Sequence, residues 1–108
     1  MLRTIAGTGQ GSFLAVLKTF GDVPSPGLLS FPMKGTTLAL DFANHGQETL
    51  SLLDKLDAIV REANGRLYPA KDGRFPSAMF RAGYPALDQF RSHMDSGMSS
   101  TFWRRMNL

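Results

Sequence analysis

A lysine just past the end of an extended run, beside a tyrosine, can bring a cation up to an anionic or developing-negative group. Gly65–Arg74, GRLYPAKDGR, has that arrangement. Gly65 stops a helix, Arg66–Tyr68 run extended, Pro69 breaks the run, and Lys71 stands among small and polar neighbours. Lys71 and Tyr68 are the first candidates for a binding role. The competing reading is a solvated lysine in a turn, which residue type alone favours.

Other chemistry is thin. Gly7, Gly9 and Gly11 give GTGQG, but they precede a strand instead of joining a strand to a helix, so a phosphate-binding loop fails on context. There is no GxSxG. His45 and His93 lie far apart and form no metal-ligand pattern, and His45 belongs to an exposed turn. Asp54 and Asp57 sit three apart on a helix near Lys55 and Arg61 and read as a solvated face, not an acid/base pair. No catalytic residue and no metal site is assigned.

The elements that must position these residues follow from periodicity. Residues 2–6 read as a last helical turn, stopped by the glycines. Ser12–Phe20 is a strand candidate with helix as its alternative. Phe13, Ala15 and Leu17 point one way, and Leu14, Val16, Lys18 and Phe20 the other. Both faces are largely apolar, so a covering on both sides is expected. Gly21–Lys34 holds three prolines and two glycines and reads as a long loop. Loops of this length are functional or cover another surface, and Leu28, Leu29, Phe31 and Met33 make this one apolar.

Gly35–Phe42 is the clearest strand. Leu38, Leu40 and Phe42 form its apolar face, while Thr37, Ala39 and Asp41 form a small, polar one. That second face leaves room for a ligand or another domain; a solvent-facing side fits the period equally well. Glu48–Ala63 is an amphipathic helix with Leu50, Leu53, Leu56, Ile59, Val60 and Ala63 on one side. It should lie on the Leu38/Leu40/Phe42 face, and Asn64–Gly65 supplies its left-handed cap. Arg66–Tyr68 would be a third strand. Short helices follow over Phe75–Ala82, Pro85–Met94 and Ser99–Met106. The expected fold class is α+β, with a small, mostly antiparallel sheet of about three strands, one long amphipathic helix and short C-terminal helices, like half of a ferredoxin-like unit.

The 108 residues suit one domain with a modest core. A hydrophobic content of 43% argues against disorder. No apolar run reaches the roughly 18 residues of a membrane span, and no apolar segment follows Arg3 as a signal peptide requires. Zero cysteines excludes disulfides and thiolate chemistry and fits a cytoplasmic protein. The net charge of +3 comes from dispersed basic residues, with only Arg104–Arg105 adjacent, which speaks against nucleic-acid binding.

In this order, SFLAVLKTFG, LSFPMKGTTLALDF, GRLYPAKDGR and FRAGYPALDQF resemble the C-terminal region of FAD-linked oxidases of the vanillyl-alcohol oxidase and p-cresol methylhydroxylase group. Within that group they are most similar to decaprenylphosphoryl-ribose oxidase-like enzymes. The resemblance runs from about Ser12 to Arg105. It implies that residues 1–108 are the C-terminal substrate domain of a larger flavoprotein. The FAD cofactor would be held mostly by an upstream domain or a separate subunit, and the substrate would be a sugar or similar alcohol. Lys71 matches the lysine of a YxAKD stretch at the flavin and substrate site, with Tyr68 beside it. Lys18 and Phe20 match cavity-lining positions. Thr37 and Ala39 stand where those enzymes have asparagine and cysteine, and Thr36 where they have tryptophan, so the pocket chemistry differs. The isolated chain is expected to be inactive. The alternative is a stand-alone module, without catalysis, that binds a small molecule or forms a homodimer through its exposed face.

Overall fold

The computed structural model describes residues 1–71 and 74–107, with Lys71 described in its backbone alone. The chain is α+β. Its elements are α1 (Leu2–Thr8), β1 (Leu14–Phe20), β2 (Gly35–Asp41), α2 (Gln47–Glu62), a single 3₁₀ turn (Pro69–Lys71), α3 (Ser77–Gly83), α4 (Leu87–Arg91) and α5 (Thr101–Arg105). They fall into two compact units. One holds Met1–Pro24 and Met33–Ala63, the other Ser25–Pro32 and Asn64–Leu108.

In the first unit β1 and β2 pair antiparallel, with Leu14 opposite Asp41, Lys18 opposite Thr37 and Phe20 opposite Gly35. The Ser12 hydroxyl closes the open end of this ladder. It accepts from the Asp41 N–H at 2.9 Å and also lies within donating range of the Asp41 and Leu14 carbonyls. The core is a cluster of Ile5, Leu52 and Leu56, against which Met1, Leu40, Phe42, Leu53 and Ile59 pack. Leu40 and Phe42 thus join the cluster that α1 and α2 form, two of the three residues expected on that face. The buried stripe of α2 runs through Leu52 and Leu56, not Leu50, which is exposed. The leucines at 50, 52, 53 and 56 fit either of two rotations of the helix. Thr49 selects one: it is buried, its hydroxyl accepts from the His45 N–H at 3.0 Å, and it can donate to the Gln10 side chain or the Ala43 carbonyl. Asn64, at φ 54, is the left-handed residue just beyond α2.

The expected covering of β1 on both sides does not hold in this chain. Phe13 is 84% exposed, Leu17 69% and Leu14 51%. The core cluster meets the sheet through Leu40 and Phe42, at the end of β2 that faces the start of β1, and leaves Leu17 uncovered.

The second unit is aromatic. Phe80 stands at its centre, with Tyr84 at 4.8 Å, Phe102 at 5.1 Å and Phe75 at 5.6 Å between ring centroids. Edge-on and tilted rings at these distances add to what burial alone contributes. Ser77 Oγ donates to the Met106 carbonyl at 2.8 Å and Arg81 to that of Asn107 at 3.0 Å, which ties α3 to the chain's last turn. Ser100 caps α5 by accepting from the Trp103 N–H at 3.1 Å. The third strand expected at Arg66–Tyr68 is not formed. Among the described residues the sheet has two strands. Residues 66–68 have no ladder partner; the Leu67 carbonyl is taken by a side chain, and Pro69 has no N–H to offer.

Candidate functional site

The track Gly65–Lys71 is built from the side. Arg66 Nη1 donates to the Ser30 carbonyl at 3.1 Å, and its guanidinium lies 5.2 Å from the centre of the Tyr84 ring. The Tyr84 hydroxyl donates to the Leu67 carbonyl at 2.8 Å. Gly83 lets the helix come close: a Cβ there would stand 2.9 Å from Arg66 Cβ. On the other side Phe31 tilts against Tyr68, ring centroids 5.1 Å apart. Three segments, Ser30–Phe31, Arg66–Tyr68 and Gly83–Tyr84, therefore interlock within the second unit. The apolar loop does cover another surface, as its composition requires.

Tyr84 is 1% exposed. Burial pushes its phenol up to about 12, against the lowering pull of the Arg66 cation and with a smaller upward contribution from Tyr68. The phenol is protonated at neutral pH and well above it, and donates to the Leu67 carbonyl. Arg66 Nε is buried with no hydrogen-bond partner. A buried unpaired donor costs about 1–3 kcal/mol. The cation–π contact with Tyr84 offsets part of that cost.

Tyr68 is half exposed beyond its contact with Phe31. The backbone of Lys71 ends the 3₁₀ turn; its side chain lies outside the described residues.

The other four candidates lie in the first unit and share one surface. Opposed residues of an antiparallel pair stand on the same face. The register therefore places Leu14, Val16, Lys18 and Phe20 together with Thr37, Ala39 and Asp41. Lys18 and Thr37 are direct cross-strand partners, as are Val16 and Ala39. Lys18 and Ala39 are exposed, Phe20 and Thr37 half-buried. Leu40 belongs to the opposite face, with Leu17 and Leu38. The candidate face thus points away from the side on which Leu40 meets the core. It offers a lysine and a hydroxyl toward one end, a small residue opposite Val16, and the Asp41 carboxylate at the far end, a surface able to hold a polar group beside a nonpolar body.

Sequence reasoning singled out neither Arg66 nor Tyr84. Within FRAGYPALDQF it is the Gly83-Tyr84 pair that meets Arg66. A small residue next to a large aromatic, following a short helix, was the available signal.

Among the described residues no three His, Cys, Asp or Glu side chains gather in a way that could hold a metal ion. No helix among them is long and apolar enough to cross a membrane.

No family model matches the chain. It is 39% identical over 83 residues to decaprenylphosphoryl-beta-D-ribose oxidase of Mycolicibacterium smegmatis, a match covering 77% of this chain and 18% of the oxidase. The chain is related to part of an oxidase. It is also 41% identical over 91 residues to an uncharacterized protein in the mprA 5′ region of Streptomyces coelicolor, covering 84% of this chain and 24% of that protein. The chain spans less than a quarter of the length of either relative. Both alignments cover more than three-quarters of the chain, so they include most of the segments that build the two surfaces above.

Proposed function

We propose that the chain is the C-terminal substrate-domain portion of an FAD-dependent oxidoreductase that oxidises a sugar or related alcohol. The observation that supports this reading best is the 39% identity to an oxidase over 83 residues. The gathering of Lys18, Phe20, Thr37 and Ala39 on one sheet face agrees with it. The residues present fit the substrate and ring end of a flavin site at the Lys18 end of the face: a cation, a hydroxyl and the apolar Val16 and Phe20, with Asp41 at the other end. They do not fit the dinucleotide end, because among the described residues no glycine-rich turn joins a strand to a helix to cradle a pyrophosphate. FAD is accordingly assigned to a domain or subunit outside this chain. When bound there, it would supply the acceptor for the hydride of the carbinol carbon, while the hydroxyl proton would leave to a general base.

The roles of this chain's residues are positioning and electrostatic. Lys18 places positive charge over the sheet face, and Phe20 and Ala39 keep that face apolar and open. Thr37, opposite Lys18, offers a hydroxyl to a substrate oxygen. Tyr68 and Lys71 are assigned to the flavin and substrate pocket by resemblance. A fixed cation beside developing negative charge stabilises it most where water is excluded.

The test is the native polypeptide carrying the peptide SFPMKGTTLAL, isolated from its source cells. It should be several times the 11.8 kDa of this chain, hold flavin, and lose its flavin absorbance anaerobically on adding an alcohol of the sugar class. A native polypeptide of 11.8 kDa with no flavoprotein partner would overturn the reading in favour of a stand-alone binding or dimerisation module.

A further inference from the structure

Tyr68 owes its setting to a group of residues that no site assignment includes. Its ring is held on one side by Phe31, and the backbone leading into it is fixed at two consecutive residues. At Arg66 the guanidinium is anchored to the Ser30 carbonyl and stacked on Tyr84. At Leu67 the carbonyl accepts from the Tyr84 hydroxyl. The contact is also close by construction, since Gly83 leaves no room for a side chain between α3 and Arg66.

From this geometry we infer that Arg66 and Tyr84 are positioning residues. Together they clamp the 66–68 backbone and so set where Tyr68, and the Pro69–Lys71 turn after it, present themselves. The two anchors are chemically distinct. Arg66 needs a planar fork that can both stack and donate; a lysine keeps the charge and loses the stack. Tyr84 needs its hydroxyl; phenylalanine keeps the ring under Arg66 and frees the Leu67 carbonyl. The Tyr84 phenol carries its proton across the neutral range at its ordinary value already, and burial extends that donor into alkali. As a contribution to catalysis, the inference rests on the oxidoreductase reading. As a statement about what sets Tyr68, it does not.

The experiment has two arms. In the 108-residue chain, the nuclear Overhauser contact between the Phe31 and Tyr68 rings is measured in wild type, Tyr84→Phe, Arg66→Lys and Phe102→Leu. Phe102→Leu is the control: it loosens the same aromatic cluster without touching either anchor. The clamp predicts that the contact weakens several-fold in both clamp variants and persists in the control. Persistence in both clamp variants, or equal loss in the control, overturns it. If Tyr84→Phe does not fold, Arg66→Lys decides alone. In the whole protein with flavin bound, the clamp variants should lower kcat about tenfold at unchanged flavin content, with a smaller change in KM. Unchanged kcat in both would overturn the positioning role. A whole protein without flavin would end the oxidoreductase reading, and the ring contact would then decide the clamp by itself.

Discussion

Gly83 and Arg66 meet backbone to side chain: a Cβ built on Gly83 would lie 2.9 Å from Arg66 Cβ and 3.5 Å from its Cα. Two effects oppose each other in Gly83→Ala. Alanine gains up to about 1 kcal/mol of helix propensity at the end of α3. Overpacking costs about 1–3 kcal/mol, and here the crowded atom is a Cβ, which has no flexible end to swing away. Overpacking wins. Gly83→Ala should lower the thermal midpoint, and Arg66→Ala should not rescue it, because alanine keeps the offending Cβ. A midpoint that rises in Gly83→Ala would show that the helix yields at no cost.

Gly46 tests the backbone alone. It stands before α2 at φ 70 and ψ −135, and a Cβ there would touch nothing within 4 Å. Gly46→Ala should therefore lose about 1–3 kcal/mol through conformation only. Urea unfolding should show the midpoint shift with an unchanged slope, since no surface is newly exposed. An unchanged midpoint would mean that the turn Asn44–Gln47 relaxes to a negative φ.

Burial of Tyr84 has a signature in alkali. Its phenol titrates near 12 in the folded chain, against an ordinary value of 10.0. The unfolded chain thus gives up this proton first. The stability tied to it is complete below pH 10 and drains away as pH rises toward 12. Tyr84→Phe removes this contribution, so its stability should be flatter across that window than wild type. Chemical denaturation at several pH values between 9 and 12 measures both curves. Parallel curves would place the phenol in contact with water.

The helices and the hairpin were legible in the sequence because each carries its own local signal. Glycines stop α1, alternation marks β2, leucine spacing marks α2, and Asn64 ends it. The candidate face was legible too, since period 2 alone puts Lys18 with Phe20 and Thr37 with Ala39; the register then joined the two pairs. The third strand was misread for a physical reason. Arg66-Leu67-Tyr68 carries a strand-like signal, but here the Leu67 carbonyl is satisfied by the Tyr84 hydroxyl and the Arg66 guanidinium by the Ser30 carbonyl, and local sequence does not show where a distant hydroxyl lands. The rotation of α2 differs from the expected one, with Leu52 buried and Leu50 exposed, because the leucine spacing fits two stripes and buried Thr49 selects the other. The coverage of β1 could not be read from β1 itself, since apolar composition states a preference for cover and not its presence.

The two leucine environments of the first unit should separate cleanly under truncation. Leu52 is 2% exposed within the Ile5/Leu56 cluster, whereas Leu17 is 69% exposed on the sheet. Leu52→Ala should cost about 2–5 kcal/mol, the transfer of its methyl groups plus the cavity left behind. Leu17→Ala removes the same atoms from a site that is already wet and should stay within about 0.5 kcal/mol of wild type. Its effect belongs to association instead. Leu17 and Phe13, both strongly exposed, give the hairpin an apolar surface of the kind that seeks cover. Replacing both with serine should reduce self-association of the isolated chain in sedimentation experiments while leaving its unfolding midpoint in place. A large loss of stability in Leu17→Ala, comparable with that in Leu52→Ala, would mean that the isolated chain already covers this residue in solution.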